Sequence, residues 1–438
     1  MTSPVDWPTA LPLELIDSPN ALELLPETVA AHGVPGAVVV LTDATPKFLA
    51  GDNLLDLVSA LLPRAIVNLL GGANGQVLAD DDTVAAAIFA AAGMGCLVTL
   101  GSGTITDLGK LASHETGVPL VAVQTAASVN GFSDNLSVVL RGGAKRTVAS
   151  VYPAALLIDH RVLAGAPVDL SRAGLGECVG ALVAPADWLL AATVGADPSY
   201  DAEIVSSFHR PANDLMGIAG GIGRRQQDEV AALARLLTLA GLAMGRAGRT
   251  APLSGTEHAV SHLLDMAAGR EHGLHGSQVG VAAVVAACLW EVALAGLDLE
   301  RMARVSDDAT MAGSFAADLT RLGPGTIDEC WTEYRVKPAL WRATPPDPEA
   351  LASLAQRASR WLGAPAEMAA VLAAAGAPTR FSELDPAVDH ETARWAVENA
   401  HLLRSRFTIL DLVVFTGGNL KQVVADALDR ADEVGGGL

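Results

Sequence analysis

Between about residue 33 and Pro167 the chain alternates short, continuously apolar runs with helical patterns: GAVVVLTD, NLLDLVSALL, AIVNLLGG, DDTVAAAIFAAAG, CLVTLGSG, TITDLGKLASHETG, PLVAVQTAAS and AALLIDHRVL. A strand that is apolar at every position has no wet face. It belongs in a sheet covered on both sides, and helices between such strands supply the cover. The pattern predicts a parallel α/β half of nucleotide-binding type. Beyond Pro167 strand-like runs almost vanish and Ala/Leu-rich segments such as DEVAALARLLTLAGLAMGRAG dominate, which predicts an all-α second half. The expected division is therefore 1–166 and 167–438, in keeping with a chain of 438 residues, longer than one hydrophobic core normally supports. A cleft between two such domains is the expected ligand site. The GGGL tail from Gly435 is expected to be disordered.

Half of the residues are hydrophobic and 18% are charged. The longest apolar stretches, such as VGVAAVVAACLWEVALAG, are Ala- and Gly-rich, fall short of a clean span of about twenty residues and are interrupted by Glu291, so buried helices explain them better than a membrane. The amino terminus, MTSPVDWPTALPLELID, has neither the basic nor the apolar region of a signal peptide, and a cytoplasmic location is expected. Cys96, Cys178, Cys288 and Cys330 form no CxxC pair and read as core residues. A net charge of −20 repels nucleic acid and anionic lipid, so neither is expected as a partner. Basic residues clustered near a site would instead serve an anionic small substrate.

In CLVTLGSGTITDLGK a strand meets a helix through Gly101-Ser102-Gly103, with Thr104 or Thr106 able to cap the first turn. Such a turn lets backbone N–H groups approach a phosphate, and the helix dipole favours its charge. The full dinucleotide pattern is not met, because Thr106 holds the third glycine position; nor is the phosphate-loop pattern, because Leu111 follows Lys110. A plain structural turn is the alternative. Asp43 ends VVVLTD, where a carboxylate can accept from a ribose hydroxyl and disfavour a 2′-phosphate, or else merely cap the following turn. QTAASVNGFSD, from Gln124 to Asp134, is a polar loop directly after a strand, as the carboxyl-end crevice of a sheet requires.

SGTEHAVSHLLDMAAGREHGLHG, from Ser254 to Gly276, holds four of the ten histidines. On a helix His258 and His262 share one face, and His275 follows past a helix end and a loop in which His272 lies. Three imidazoles from two adjacent helices can converge on zinc, nickel or iron; the alternative is satisfied core or surface histidines. A metal site usually adds a carboxylate. In SRAGLGECVGALVAPADWLL, Glu177 stands among apolar residues, where an unpaired acid is costly; Asp187 is the competing candidate, but its setting also fits an ordinary exposed helical acid, and Glu177 is preferred.

GSGTITDLGK, TAASVNGFSD, AGLGE, LAGLAMGRAG, SGTEHAVSH, LHGSQVGV and RSRFTILDL together cover most of the chain and resemble the sn-glycerol-1-phosphate dehydrogenases, within the superfamily of dehydroquinate synthases and iron-containing alcohol dehydrogenases. The resemblance implies a dehydroquinate synthase-like fold: a Rossmann-like domain over 1–166 for NAD or NADP, and an α-helical domain over 167–438 for one divalent metal, zinc first, with nickel or iron as alternatives. By motif position it implies Glu177, His258 and His275 as metal ligands, with His262 free to face the substrate as a proton relay. Gly101, Ser102 and Gly103, with Thr104 and Asp107 beyond them, would hold the cofactor together with Asp43, while Thr125 and Ser128 would line cofactor or substrate. Lys145 would approach the substrate phosphate, with Arg146, Arg404 and Arg406 as further cations. The dehydrogenases of this branch typically carry Asp where Glu177 stands, while the dehydroquinate synthases carry Glu. Both typically carry Asp at the catalytic position of Asn130, which offers a substrate hydroxyl a neutral acceptor; Asp134 would be the replacement carboxylate.

The implied reaction is hydride transfer between NAD(P)H and a small phosphorylated ketone such as dihydroxyacetone phosphate, with the metal polarising the carbonyl. Glu177 keeps open a sugar-phosphate cyclase of the dehydroquinate synthase type, a lyase that reduces and reoxidises NAD within one turnover and releases phosphate. Asn130 keeps open a non-catalytic relative. The apolar helical surface suggests a homo-oligomer, a dimer or larger.

Overall fold

The computed structural model describes residues 7–438 except 9, 46, 72–76, 142–143, 270–272 and 297–313. His272 lies outside the described residues. Contacts group the chain into two units, one of Met1–Gly174 with Gly217–Arg249, the other of Leu175–Met216 with Thr250–Leu438.

The main sheet of the first unit holds six strands, β1 (Glu14–Ser18), β2 (Val38–Asp43), β3 (Ile66–Leu70), β4 (Cys96–Gly101), β5 (Leu120–Gln124) and β6 (Ala155–Asp159), in the order β1-β6-β5-β4-β2-β3 with every neighbouring pair parallel. Alternate residues enter two separate cores: Val39, Leu41, Leu97 and Leu120 in one, Val40, Val98, Val121 and Val123 in the other. This is why the central strands read as unbroken apolar runs. Sequence periodicity begins near residue 33 and misses β1, an edge strand containing Glu14 and Asp17 and buried at none of its positions. Helix α1 (Gly103–Thr116) follows β4, and an antiparallel ribbon, Leu136–Arg141 with Ala144–Ala149, follows the Gln124–Asp134 loop.

Helix α2 (Val168–Gly180) contains the division between Gly174 and Leu175 and leads to α3 (Ala184–Thr193). A single boundary at 166/167 is expected from sequence; the observed grouping is discontinuous, because α4 (Gln227–Ala247) packs with the α/β unit. There Arg235 Nε donates to Asp17 Oδ2 at 2.5 Å, and Ser133 Oγ donates to the Thr238 carbonyl at 2.8 Å. Helical periodicity alone does not say which neighbour a helix joins.

Among its described residues the second unit contains helices and no strand, only a single backbone bridge between Arg380 and Gly437. That bridge orders the glycine tail expected to be disordered: Gly437 donates to the Thr379 carbonyl at 3.0 Å and accepts from Phe381 N–H at 2.8 Å. Helices α5 (Thr256–Ala268) and α6 (His275–Gly296) pack against each other, and α7 (Ile409–Phe415) lies near the carboxyl end. The stretches Val168–Thr193, Gln227–Ala247 and His275–Gly296 are long and apolar enough to cross a membrane by length and composition, but 94%, 67% and 72% of their apolar windows are buried within the protein. Burial accounts for their apolarity. All four cysteines are buried and unbridged.

Candidate functional site

Glu177 on α2, His258 on α5 and His275 at the start of α6 present one ligand atom each, all within 4.8 Å of one another. His258 Nε2 lies 3.4 Å from Glu177 Oε2, and His275 Nε2 lies 3.5 Å from Glu177 Oε1. Glycines beside the ligands make this approach possible. A Cβ on Gly176 would lie 1.9 Å from the Gly276 carbonyl oxygen, and one on Gly280 would lie 2.8 Å from Gly176 Cα. The α2 and α6 backbones therefore meet at distances only glycine permits, and their neighbours Glu177 and His275 are brought face to face.

Both imidazoles are held in the tautomer a metal requires. His258 Nδ1 is 2.8 Å from Glu257 Oε1; a carboxylate accepts, so Nδ1 carries the hydrogen and the Nε2 lone pair turns toward Glu177. Ser261 Oγ donates its hydrogen to Gln278 Oε1 at 2.7 Å, so at 2.8 Å it accepts from His275 Nδ1, which again leaves Nε2 bare. Burial opposes a charge on His258, but Glu177 and Glu257 outweigh it and raise its pKa to about 9. Two buried carboxylates around one imidazole call for positive charge, which a divalent cation among Glu177, His258 and His275 would supply in place of the proton on His258 Nε2. The donor set fits a metal.

His262 is not part of that trio. Arg404 Nη2 lies 2.7 Å from its Nδ1, and a guanidinium only donates, so Nδ1 accepts and the neutral ring carries its hydrogen on Nε2. His262, Arg404, Arg406, Ser254 and Thr408 line one small cavity. Arg406 is engaged otherwise: it donates to the carbonyl of Ser254, to Ser254 Oγ at 2.5 Å and to Thr250 Oγ1 at 2.8 Å, fixing the turn that enters α5.

Asp187 is not the exposed acid its setting suggested. It is 1% exposed and accepts from Thr256 N at 2.7 Å, Thr256 Oγ1 at 2.8 Å and Ile409 N at 2.9 Å, so one carboxylate pins the first turns of both α5 and α7. Burial and the nearby Glu257 push its pKa up to about 7 against the pull of those donors. The apolar neighbours of PADWLL signalled burial; the partners, far away in sequence, could not be read.

In the α/β unit Gly101 pairs with Gln124, and Ser102 is the N-cap of α1 without a side-chain cap bond, so no N-cap side chain satisfies the first-turn N–H groups. Side chains at the glycines would collide, with Ile105 Cβ at 2.5 Å from a Cβ on Gly101 and Val129 Cγ2 at 2.6 Å from one on Gly103. Thr104 stands in that first turn. Thr125, buried like Ser128, donates its backbone N–H to the Gly101 carbonyl at 3.1 Å. Asp107 and Asp134 have another partner. Lys110, wholly buried, donates to Asp134 Oδ1 at 2.6 Å and to the carbonyls of Gly131 and Leu136, and its Nζ lies 3.4 Å from Asp107 Oδ1. Burial pushes Asp107 up to about 6, with Lys110 opposing. Asp134 is thus committed to Lys110 and is no spare carboxylate for Asn130. Lys145 and Arg146 lie on the ribbon, where Arg146 Nη1 donates to the Lys145 carbonyl at 3.0 Å. Asn130 sits where α4 passes closely, its carbonyl oxygen 2.4 Å from where a Cβ on Gly241 would be. Asp43 accepts from Thr45 N at 3.0 Å and from Lys47 Nζ.

Sequence reading missed Glu257, Ser261, Gln278 and Lys47. Glu257 was visible, directly before His258; the pairing of Ser261 with Gln278 exists only once α5 and α6 pack.

Residues 17–167 match the family described as iron-containing alcohol dehydrogenase. Glycerol-1-phosphate dehydrogenase (NAD(P)+) of Halobacterium salinarum is 30% identical over 328 residues, covering 70% of this chain and 89% of the relative. Its counterpart from Bacillus licheniformis is 28% identical over 400 residues, 90% of this chain and 86% of the relative. Among solved structures, glycerol dehydrogenase from Schizosaccharomyces pombe superposes with a TM-score of 0.62 at 15% identity, covering 98% of this chain and 91% of that one. Maleylacetate reductase from Rhizobium sp. strain MTP-10005 gives 0.57 at 18% identity, with 99% of both chains covered. The solved structures bear on the fold. The sequence relatives carry dehydrogenase names, which favours the dehydrogenase expectation over the cyclase.

Proposed function

Since this chain belongs to the glycerol-1-phosphate dehydrogenase family, we propose that it is a metal-dependent oxidoreductase that passes a hydride between NAD(P)H and a small phosphorylated ketone, dihydroxyacetone phosphate or a close analogue. The observation that carries the metal-dependent part is the convergence of Glu177, His258 and His275 with both Nε2 lone pairs turned to one point. Glu177, His258 and His275 would hold a divalent ion, which would supply Lewis acidity to the carbonyl oxygen. Zinc is the ion we propose, since two imidazoles and a carboxylate suit it; iron and nickel share those preferences.

The remaining roles belong to the chain's own side chains. His262 holds a hydrogen at Nε2, fixed there by Arg404, and is proposed to hydrogen-bond the substrate oxygen with it, steadying the alkoxide while solvent supplies the proton. Arg404 and Arg406, which line one cavity with His262, are proposed to face the substrate phosphate; Lys145 and Arg146 are the other proposed cations. A local cation is needed because a chain of net charge −20 repels a phosphorylated substrate. Asn130 is proposed to accept from a substrate hydroxyl. Gly101, Ser102, Gly103 and Thr104 are proposed to receive the nucleotide pyrophosphate at the uncapped start of α1, with Thr125 and Ser128 beside it and Asp43 on the ribose. We further propose a cytoplasmic homo-oligomer, a dimer or larger, which gel filtration tests.

The decisive assay follows absorbance of NADH and NADPH with dihydroxyacetone phosphate and enzyme loaded with zinc, nickel or iron. Net oxidation of cofactor is expected. No oxidation with any of the three ions overturns the reading.

A further inference from the structure

Lys47 has no part in the chemistry above, yet it is built into the end of the strand that carries Asp43. Thr42 on β2 pairs with Leu100 on β4, and Thr42 Oγ1 donates to the Leu100 carbonyl at 2.7 Å, so Asp43 stands level with Gly101 on the neighbouring strand. A dinucleotide whose pyrophosphate lies at a glycine turn sets its adenosine ribose at the carboxyl end of the adjacent strand. A bare carboxylate at that place accepts from the ribose hydroxyls and repels a 2′-phosphate.

The carboxylate of Asp43 is not bare. Lys47 Nζ donates to Asp43 Oδ1 and to the Thr45 carbonyl at 3.1 Å, and the two charged side chains are only 15% and 18% exposed. Thr45 N–H also points at Oδ1, at 3.0 Å, so both donors gather on one oxygen. Resting on the nucleotide reading above, we propose that Lys47 sets the cofactor preference. By neutralising Asp43 it removes the repulsion of a 2′-phosphate while leaving Oδ2 to a ribose hydroxyl, so the protein binds NADPH and NADH with similar affinity. A half-buried unit charge uncovered beside a phosphate is expected to weaken NADPH binding by about tenfold or more, and the effect is expected to shrink as salt screens it.

The test is fluorescence titration of the full-length, metal-loaded protein with NADH and with NADPH, which reads binding and not turnover. Lys47→Met is expected to raise the dissociation constant for NADPH about tenfold and that for NADH by no more than about threefold. Lys47→Arg, which keeps the charge, is expected to preserve both, and adding Asp43→Asn to Lys47→Met is expected to recover NADPH binding. If Lys47→Met changes both nucleotides equally, or neither, the proposal is overturned while the dehydrogenase reading stands. If the unaltered protein binds neither nucleotide, both fall.

Discussion

Ser261 accepts from His275: its hydroxyl oxygen lies 2.8 Å from Nδ1 of that ring while its own hydrogen goes to Gln278. Groups that orient a metal-binding imidazole typically contribute 10–100-fold in metal affinity. Ser261→Ala is therefore expected to weaken metal binding by about 10–100-fold with the fold intact, measured by competition against a chelator of known affinity. Unchanged affinity would show that His275 needs no such support.

The histidines divide by role. His258→Ala removes a ligand and is expected to abolish stoichiometric metal. His262→Ala leaves the three ligand atoms in place, so metal content after dialysis is expected to stay near that of the unaltered protein while turnover falls, loss of a hydrogen-bond donor to a developing oxyanion typically costing about 10²-fold or more. Elemental analysis decides: equal metal loss in both variants would return His262 to the ligand set.

Gly176→Ala tests how the site is assembled. The new Cβ would stand 1.9 Å from the Gly276 carbonyl oxygen, backbone against backbone, so the helices must part. Overpacking of this kind costs about 1–3 kcal/mol or more. Because Glu177 and His275 sit beside those two glycines, lowered thermal stability and lost metal affinity are expected together. A stable variant with normal metal content would show that the close crossing is not what sets the ligands.

These residues show what the sequence made legible. The sheet could be read because its central strands are apolar on both faces, and the grouping of Glu177, His258 and His275 could be anticipated because a few motifs place them. The edge strand at Glu14–Ser18, the transfer of Gln227–Ala247 to the α/β unit and the ordering of Gly437 could not, since each depends on a partner distant in sequence. The same holds for Asp187, whose three donors come from residues 256 and 409, and for Asp134, whose partner Lys110 sits on a helix two elements earlier.

Asp187→Ala would orphan three donors at once, in a place with 1% exposure. Each buried donor left unpaired costs about 1–3 kcal/mol, so a loss of several kcal/mol is expected. Asp187→Asn keeps acceptor oxygen but at most half of it, and is expected to fall between. Urea unfolding of the three proteins should rank them in that order; an alanine variant as stable as the parent would contradict the assigned role.

Acid stability carries a signature of His401. The ring is buried, and burial together with the Lys337 charge lowers its pKa from 6.5 to about 3. In the unfolded chain the ring takes up a proton below pH 6.5; in the fold it does not until about pH 3. The unfolded state binds more protons throughout that window, so this residue's contribution to stability is intact above pH 6.5 and is lost as pH falls through it, at up to about 1.4 kcal/mol per pH unit. His401→Gln removes the titrating ring. Urea midpoints measured between pH 7 and pH 5 are therefore expected to fall less steeply for the glutamine variant than for the parent. Parallel slopes would mean that His401 already carries a proton in the folded protein, and the positive charge of Lys337 would then need a different account.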